Sequence, residues 1–155
     1  MQEESYKYKY GIEVPTTYAG ALELDWENGN NLWSRAIEKE MNALDTMDVF
    51  KVLKRGERAP AKYKQVPLLL KFDVKMDLTR KARMCAGGHV TDPPNTDTYS
   101  GVVERESVRL AFLLAGVNNM EVCMSDIGNA YVHAKTLELV FAIAIAPFGE
   151  DEGCI

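Results

Sequence analysis

The chain has 155 residues, of which 46% are hydrophobic and 26% charged, the composition of an ordinary globular domain with enough length for a sizeable core. No apolar run approaches the ~20 residues a membrane helix needs, and the acidic, mixed start "MQEESYKYKY" reads as neither signal nor transit peptide, so the expected location is cytoplasmic or nuclear. Cys85, Cys123 and Cys154 are odd in number and widely spaced, and His89 and His133 do not fall at ligand spacing, which excludes a disulfide framework and a zinc module. The net charge of −5 hides a split: Lys51 to Arg83 holds eleven Lys/Arg against three Asp/Glu, a local +8 inside an otherwise acidic chain. A basic strip of this kind can grip phosphates even when the whole protein is acidic, although most such strips are simply solvated faces.

In chain order, residues 1–30 read as an N-terminal lead-in, partly extended or disordered, in which "YKYKY" is a tail or an edge strand. "ENGNNLW" is a turn running into a helix start, with Asn30 or Asn31 able to cap. Leu32, Trp33, Ala36, Ile37, Met41 and Leu44 then recur at helical spacing and predict a helix over about Asn31 to Leu44. "VFKVL" (Val49 to Leu53) predicts a strand, and "KRGERAPAKYKQ" a basic loop. "VPLLLKFDVKM" alternates Phe72, Val74 and Met76 against Lys71, Asp73 and Lys75. "KARMCAGG" sets Lys81 and Arg83 against Ala82 and Met84. With "DLTR" as the turn, the two make a hairpin with one basic face.

The prolines of "GHVTDPPNTDTYSG" predict a loop. "ERESVRLAFLLAGV" (Glu104 to Val117) predicts a second helix, acidic at its start, with Gly116 near its end, and apolar over so much of its surface that it should be buried. "EVCMSDI" and "LELVFAIAIA" (Leu137 to Ala146) predict two further strands. The class is α+β: an antiparallel hairpin plus helices packed on a small sheet, with no internal repeat.

An aspartate at the end of a buried strand, as Asp126 would be, can face a cleft, and Mg²⁺ favours hard carboxylate oxygens with phosphates completing its shell. Many strands end in Asp for turn reasons alone. The segment does not stand alone, however. "KARMCAGGH", "PPNTDTYSGVVERESVRLAFLLA" and "SDIGNAY", preceded by the helix of Leu32, Trp33, Ala36, Glu40 and Leu44, together resemble the N-terminal half of copia-type retrotransposon reverse transcriptases, from roughly Tyr10 onward. The resemblance implies that residues 31–155 are a truncated fingers and palm region of a right-hand polymerase.

It further implies that Asp126 is a catalytic, metal-binding aspartate. Ile127, Gly128, Asn129 and Ala130 would lie under the triphosphate of an incoming nucleotide. Tyr131 would be an aromatic steric gate against a 2′-hydroxyl; taken without the resemblance, it reads as a core or rim ring. Lys75, Lys81 and Arg83 match the cations of the finger hairpin, where positive charge orients the triphosphate, and the choice between Lys81 and Arg83 stays open. His89 and Arg109 lie in matching motifs without an assigned role. The implied cofactor is Mg²⁺, and the implied partners are an RNA or DNA template-primer and a deoxynucleotide, with no membrane.

No Asp-Asp pair occurs in these residues, so the second metal motif, the thumb and the RNase H segment are absent from them. Alone, the chain is expected to be inactive. Cys85, Val132, His133 and Lys135 depart from the family's usual residues. A rival reading is a non-catalytic remnant that binds RNA or single-stranded DNA through Lys54, Arg55, Lys71, Lys75, Lys81 and Arg83, with Tyr63 or Tyr99 stacking on bases. In a third reading the fragment has no function of its own, and an unpaired palm strand makes it prone to associate.

Overall fold

The computed structural model describes residues 7–90, 101–128, 130, 132–133 and 138–155. They divide into two compact units: Met1–Thr91 with Thr136–Ile155, and Asp92–Lys135. The class is α+β, as the sequence predicts, built from short strand pairs and helices. Among the described residues no helix is long and apolar enough to cross a membrane.

The first unit begins with β1 (Lys7–Lys9) and β2 (Ile12–Val14), paired antiparallel. Their two-residue turn needs positive φ at both positions, and Tyr10 (φ 54°) and Gly11 (φ 76°) supply it. Helix α1 (Tyr18–Glu27) follows, its first turn capped by Thr17 Oγ1 accepting from the Gly20 amide at 3.0 Å. Residues 7–30, read from sequence as a lead-in, thus bring a hairpin and an unforeseen helix to the unit's core.

Helix α2 (Leu32–Thr46) occupies the span its spacing predicts. Asn31 sits at its N-cap position without a side-chain capping bond. Asn30, the other residue the sequence offers, does cap: its Oδ1 accepts from the Leu32 amide at 3.1 Å. The next donors go to the buried Asp25 of α1, which accepts from the Trp33 amide (2.9 Å), the Ser34 amide (2.8 Å) and the Ser34 hydroxyl (2.6 Å). One carboxylate thereby satisfies orphan donors of α2 and sits at the positive end of its dipole.

The predicted hairpin is present as β4 (Leu68–Val74) and β5 (Arg80–Ala86), antiparallel in a seven-pair register from Leu68↔Ala86 to Val74↔Arg80. Its inner face packs on α2: the Trp33 and Phe72 rings meet edge to face at 5.7 Å, and Val74 and Ala82 join Val14, Ala21, Leu24 and Ile37 in the core. Arg80 also turns inward, with its guanidinium 5.8 Å above the Trp33 ring. The Met84 amide donates to Glu40 Oε1 at 3.0 Å, so the helix carboxylate anchors the strand. Gly87 ends the strand where Pro67 crosses it: a Cβ there would stand 2.6 Å from Pro67 Cγ.

Three sequence expectations need correction here. Val49 to Leu53 is not a strand: the segment has no ladder partner and is held instead by the Val49 amide on the Leu44 carbonyl, the Phe50 ring on Phe148 at 5.4 Å, and the Leu53 amide on the Ile155 carbonyl. The strand expected over Leu137 to Ala146 shrinks to β6 (Val140–Phe141), parallel to the two-residue β3 (Lys64–Gln65), where the Lys64 and Val66 amides donate to the Leu139 and Phe141 carbonyls. "EVCMSDI" is irregular and exposed throughout, not a buried strand.

The second unit contains α3 (Arg105–Val117), at the predicted position. Its expected burial is overturned: Ala115 is its one buried residue, while Leu110, Phe112, Leu113 and Leu114 are each more than half exposed. Apolar composition alone forecast a covering layer that these residues do not have.

Candidate functional site

The outer face of the β4–β5 hairpin carries the candidate cations. Strand alternation sends Lys71 and Asp73 outward from β4, and Lys81 and Arg83 outward from β5. The register sets Asp73 opposite Lys81 and Lys71 directly opposite Arg83. The first pair is attractive. The second juxtaposes like charges, which ordinarily destabilises a ladder. Among the described residues neither Lys71 nor Arg83 has an ion-pair partner. Lys9 reaches in from β1 to Asp73, Nζ to Oδ1 at 2.6 Å, and so draws off the one negative charge on this face. The result is a concentrated cationic surface on a rigid two-stranded support, able to bind an oxyanion through Arg83 and a neighbouring ammonium.

Lys75 is exposed at the start of the hairpin turn, with its amide and carbonyl spent on closing that turn with Thr79 and Leu78. The Thr79 amide donates to Asp77 Oδ1 at 3.1 Å, and this bond, followed by one from the Thr79 hydroxyl, holds the Asp77 carboxyl below the usual carboxylate range. Arg80, also basic by sequence, is lost to the face because it stacks on Trp33 and donates from Nη1 to the Leu78 carbonyl. Arg55 is likewise committed: its Nη2 donates to the carbonyls of Glu150 (2.9 Å) and Glu152 (3.2 Å) and ties the basic loop to the C-terminal segment. Lys54 and Tyr63 are exposed, and Tyr99 lies outside the described residues. Lys9 was missed from sequence because it lies 64 positions from Asp73 and no local pattern links them.

Asp126, Ile127, Gly128 and Ala130 belong to the second unit, on exposed irregular chain, while Asn129 and Tyr131 lie outside the described residues. Asp126 therefore does not end a strand. Among the described residues no three His, Cys, Asp or Glu side chains come together in a way that could hold a metal ion. One exposed carboxylate does not by itself complete the near-octahedral oxygen shell that Mg²⁺ needs. Arg109 lies 4.0 Å from Glu106 one turn earlier in α3, and His89 sits in a short 3₁₀ turn after β5.

Comparison with known proteins adds an origin. The chain is 32% identical over 111 residues to the truncated transposon Ty1-A Gag-Pol polyprotein of Saccharomyces cerevisiae, a match covering 68% of this chain and 9% of that protein. The Ty1-LR3 and Ty1-PR1 Gag-Pol polyproteins of the same yeast match at 32% over 111 residues, 68% of this chain and 6% of each of theirs. A retrotransposon origin is supported. The chain thus spans less than a tenth of the curated relatives it matches. No family model matches it, and no solved structure does.

Proposed function

We propose that the chain is the fingers and leading palm portion of a copia-type reverse transcriptase, and that by itself it holds nucleic acid without copying it. The observation that carries the reading is the opposed pair Lys71 and Arg83, flanked by Lys81 on an exposed face whose carboxylate is occupied by Lys9. An isolated fold gains nothing from two cations in direct register, whereas a phosphate between them turns repulsion into two charge-assisted contacts. The retrotransposon similarity supports the origin alone, and the resemblance of the "KAR" and "SDIGNAY" motifs supports the polymerase reading. In the intact polyprotein this face would meet either the triphosphate of a nucleotide or the backbone of a template-primer. Asp126 would contribute one carboxylate to a Mg²⁺ centre whose other ligands come from elsewhere in the polyprotein.

Binding of a fluorescent single-stranded oligonucleotide, RNA or DNA, at stepped salt concentrations tests the reading. Affinity should fall linearly on logarithmic axes, because each phosphate neutralised releases counterions. The double variant Lys71→Glu with Arg83→Glu should abolish binding and leave the far-UV spectrum intact. Binding indifferent to salt, or unchanged in the double variant, would overturn it.

A further inference from the structure

The turn between β1 and β2 sets Tyr10 in the left-handed region, at φ 54°, ahead of Gly11. Asn or Asp before the glycine holds such a turn at less cost, because a short polar side chain bonds locally where a bulky ring cannot. A large residue kept there is strained, and strain of this kind gathers where a side chain has a task. The ring is not spent on packing: Tyr10 is 55% exposed and lies outside the core around Trp33. What holds it is Lys9, whose Nζ stands 5.6 Å over the ring centroid and 2.6 Å from Asp73 Oδ1. One ammonium therefore touches both the ring of this turn and the outer face of β4–β5, the face that carries Lys71, Lys81 and Arg83.

We infer that Tyr10 is the platform on which an unpaired base stacks while the phosphates of the same strand lie on the β4–β5 cations; the inference rests on the reading of that face as a nucleic-acid surface. An exposed aromatic ring beside a cationic track is the means by which proteins hold single strands without choosing a sequence, since every base has a π-face. Lys9 fixes the ring at the edge of the track and offsets the Asp73 carboxylate, which would otherwise repel a passing phosphate. A strand laid on Lys71, Lys81 and Arg83 can then turn one base onto the ring. A duplex hides the faces of its bases within the stack, so the occupant is single-stranded RNA or DNA.

Anisotropy titrations of a fluorescent single strand with the full chain test it in Tyr10→Asn and Tyr10→Phe. Tyr10→Asn supplies the Asn-Gly pair that this turn favours, so the urea midpoint should stay level or rise, while affinity falls at least about fivefold. Tyr10→Phe keeps the ring and should bind like the wild type. An abasic strand of equal length keeps every phosphate; it should bind the wild type more weakly and should not distinguish the wild type from Tyr10→Asn. A deoxynucleoside triphosphate, at matched phosphate concentration, should displace the bound strand far less well than unlabelled strand does. Unchanged affinity in Tyr10→Asn would overturn the inference, as would an equal loss on the abasic strand or a triphosphate that competes as well as the strand. If Lys71→Glu with Arg83→Glu abolishes binding while Tyr10→Asn does not weaken it, the cationic face stands and the platform alone falls. A wild type that binds no strand overturns both.

Discussion

Lys71 and Arg83 stand opposite each other in the β4–β5 ladder, both exposed, with no carboxylate paired to either among the described residues. Under the proposed function, fold and function would pull apart at this point: the like-charge contact that weakens the hairpin would strengthen its hold on an anion.

Arg83→Thr should therefore move stability and binding in opposite directions. Relief of the like-charge contact, with a β-branched residue in its place, should raise unfolding free energy by about 0.2–1 kcal/mol. Single-strand affinity should drop, and its logarithmic salt slope should lessen by about 0.7 for the lost phosphate contact. Urea melts and oligonucleotide titrations at several salt concentrations measure the two effects separately.

Asp25→Ala should be the more damaging change, although it lies far from any chemistry in sequence. It leaves the amides of Trp33 and Ser34 without their acceptor in a buried place. A loss of roughly 2–4 kcal/mol is expected, seen as a lower denaturation midpoint. Asp25→Asn, which keeps one acceptor, should recover part of it.

Gly87→Ala should destabilise by about 1–3 kcal/mol, because its Cβ would press on the Pro67 ring and the backbone beside it is held by the Gly87 amide to Pro67 carbonyl bond. The same change at Gly88, which has open space around it, is the control and should cost little.

Acid should loosen the hairpin turn. The Asp77 carboxyl is held below its ordinary range by the Thr79 amide and hydroxyl. A depressed carboxylate contributes stability that is fully present above its unfolded pKa and is lost as pH falls through its folded one. The stability gap between the wild type and Asp77→Asn should be constant at neutral pH. It should begin to close once pH drops into the carboxylate range and vanish only below it. Denaturant melts of both proteins across that interval provide the check.

Primer extension with Mg²⁺ should give no product with the isolated chain, and Asp126→Asn should be indistinguishable from the wild type in that assay, because one exposed carboxylate cannot organise a metal centre. Robust synthesis would reverse this view of the chain.

The β4–β5 hairpin was legible in the sequence because its middle alternates: Lys71, Asp73, Lys81 and Arg83 outside, Phe72, Val74 and Ala82 inside. Helix α2 was legible for the same reason at a period of 3.6. What escaped was non-local. Nothing near Asp25 announces that it caps a different helix, and nothing near Lys9 announces Asp73. Arg80 counts as a surface cation by type and becomes part of the core by stacking on Trp33. The strands expected around Asp126 and after Leu137 failed because apolar runs predict burial or extension only when a partner strand is at hand. Among the described residues the first has none, and the second finds two residues of β3.

The pairing of β6 with β3 has one more implication. The unit formed by residues 1–91 and 136–155 is interrupted in sequence by the other. The hairpin and both leading helices precede the other unit in the chain, whereas the segment that bonds to Lys64, Val66 and Leu53 follows it. Until that segment is in place, the basic loop around Gly56 lacks the hold of Arg55 on the Glu150 and Glu152 carbonyls, so a truncation that removes residues 138–155 should open the chain to proteases between α2 and β4.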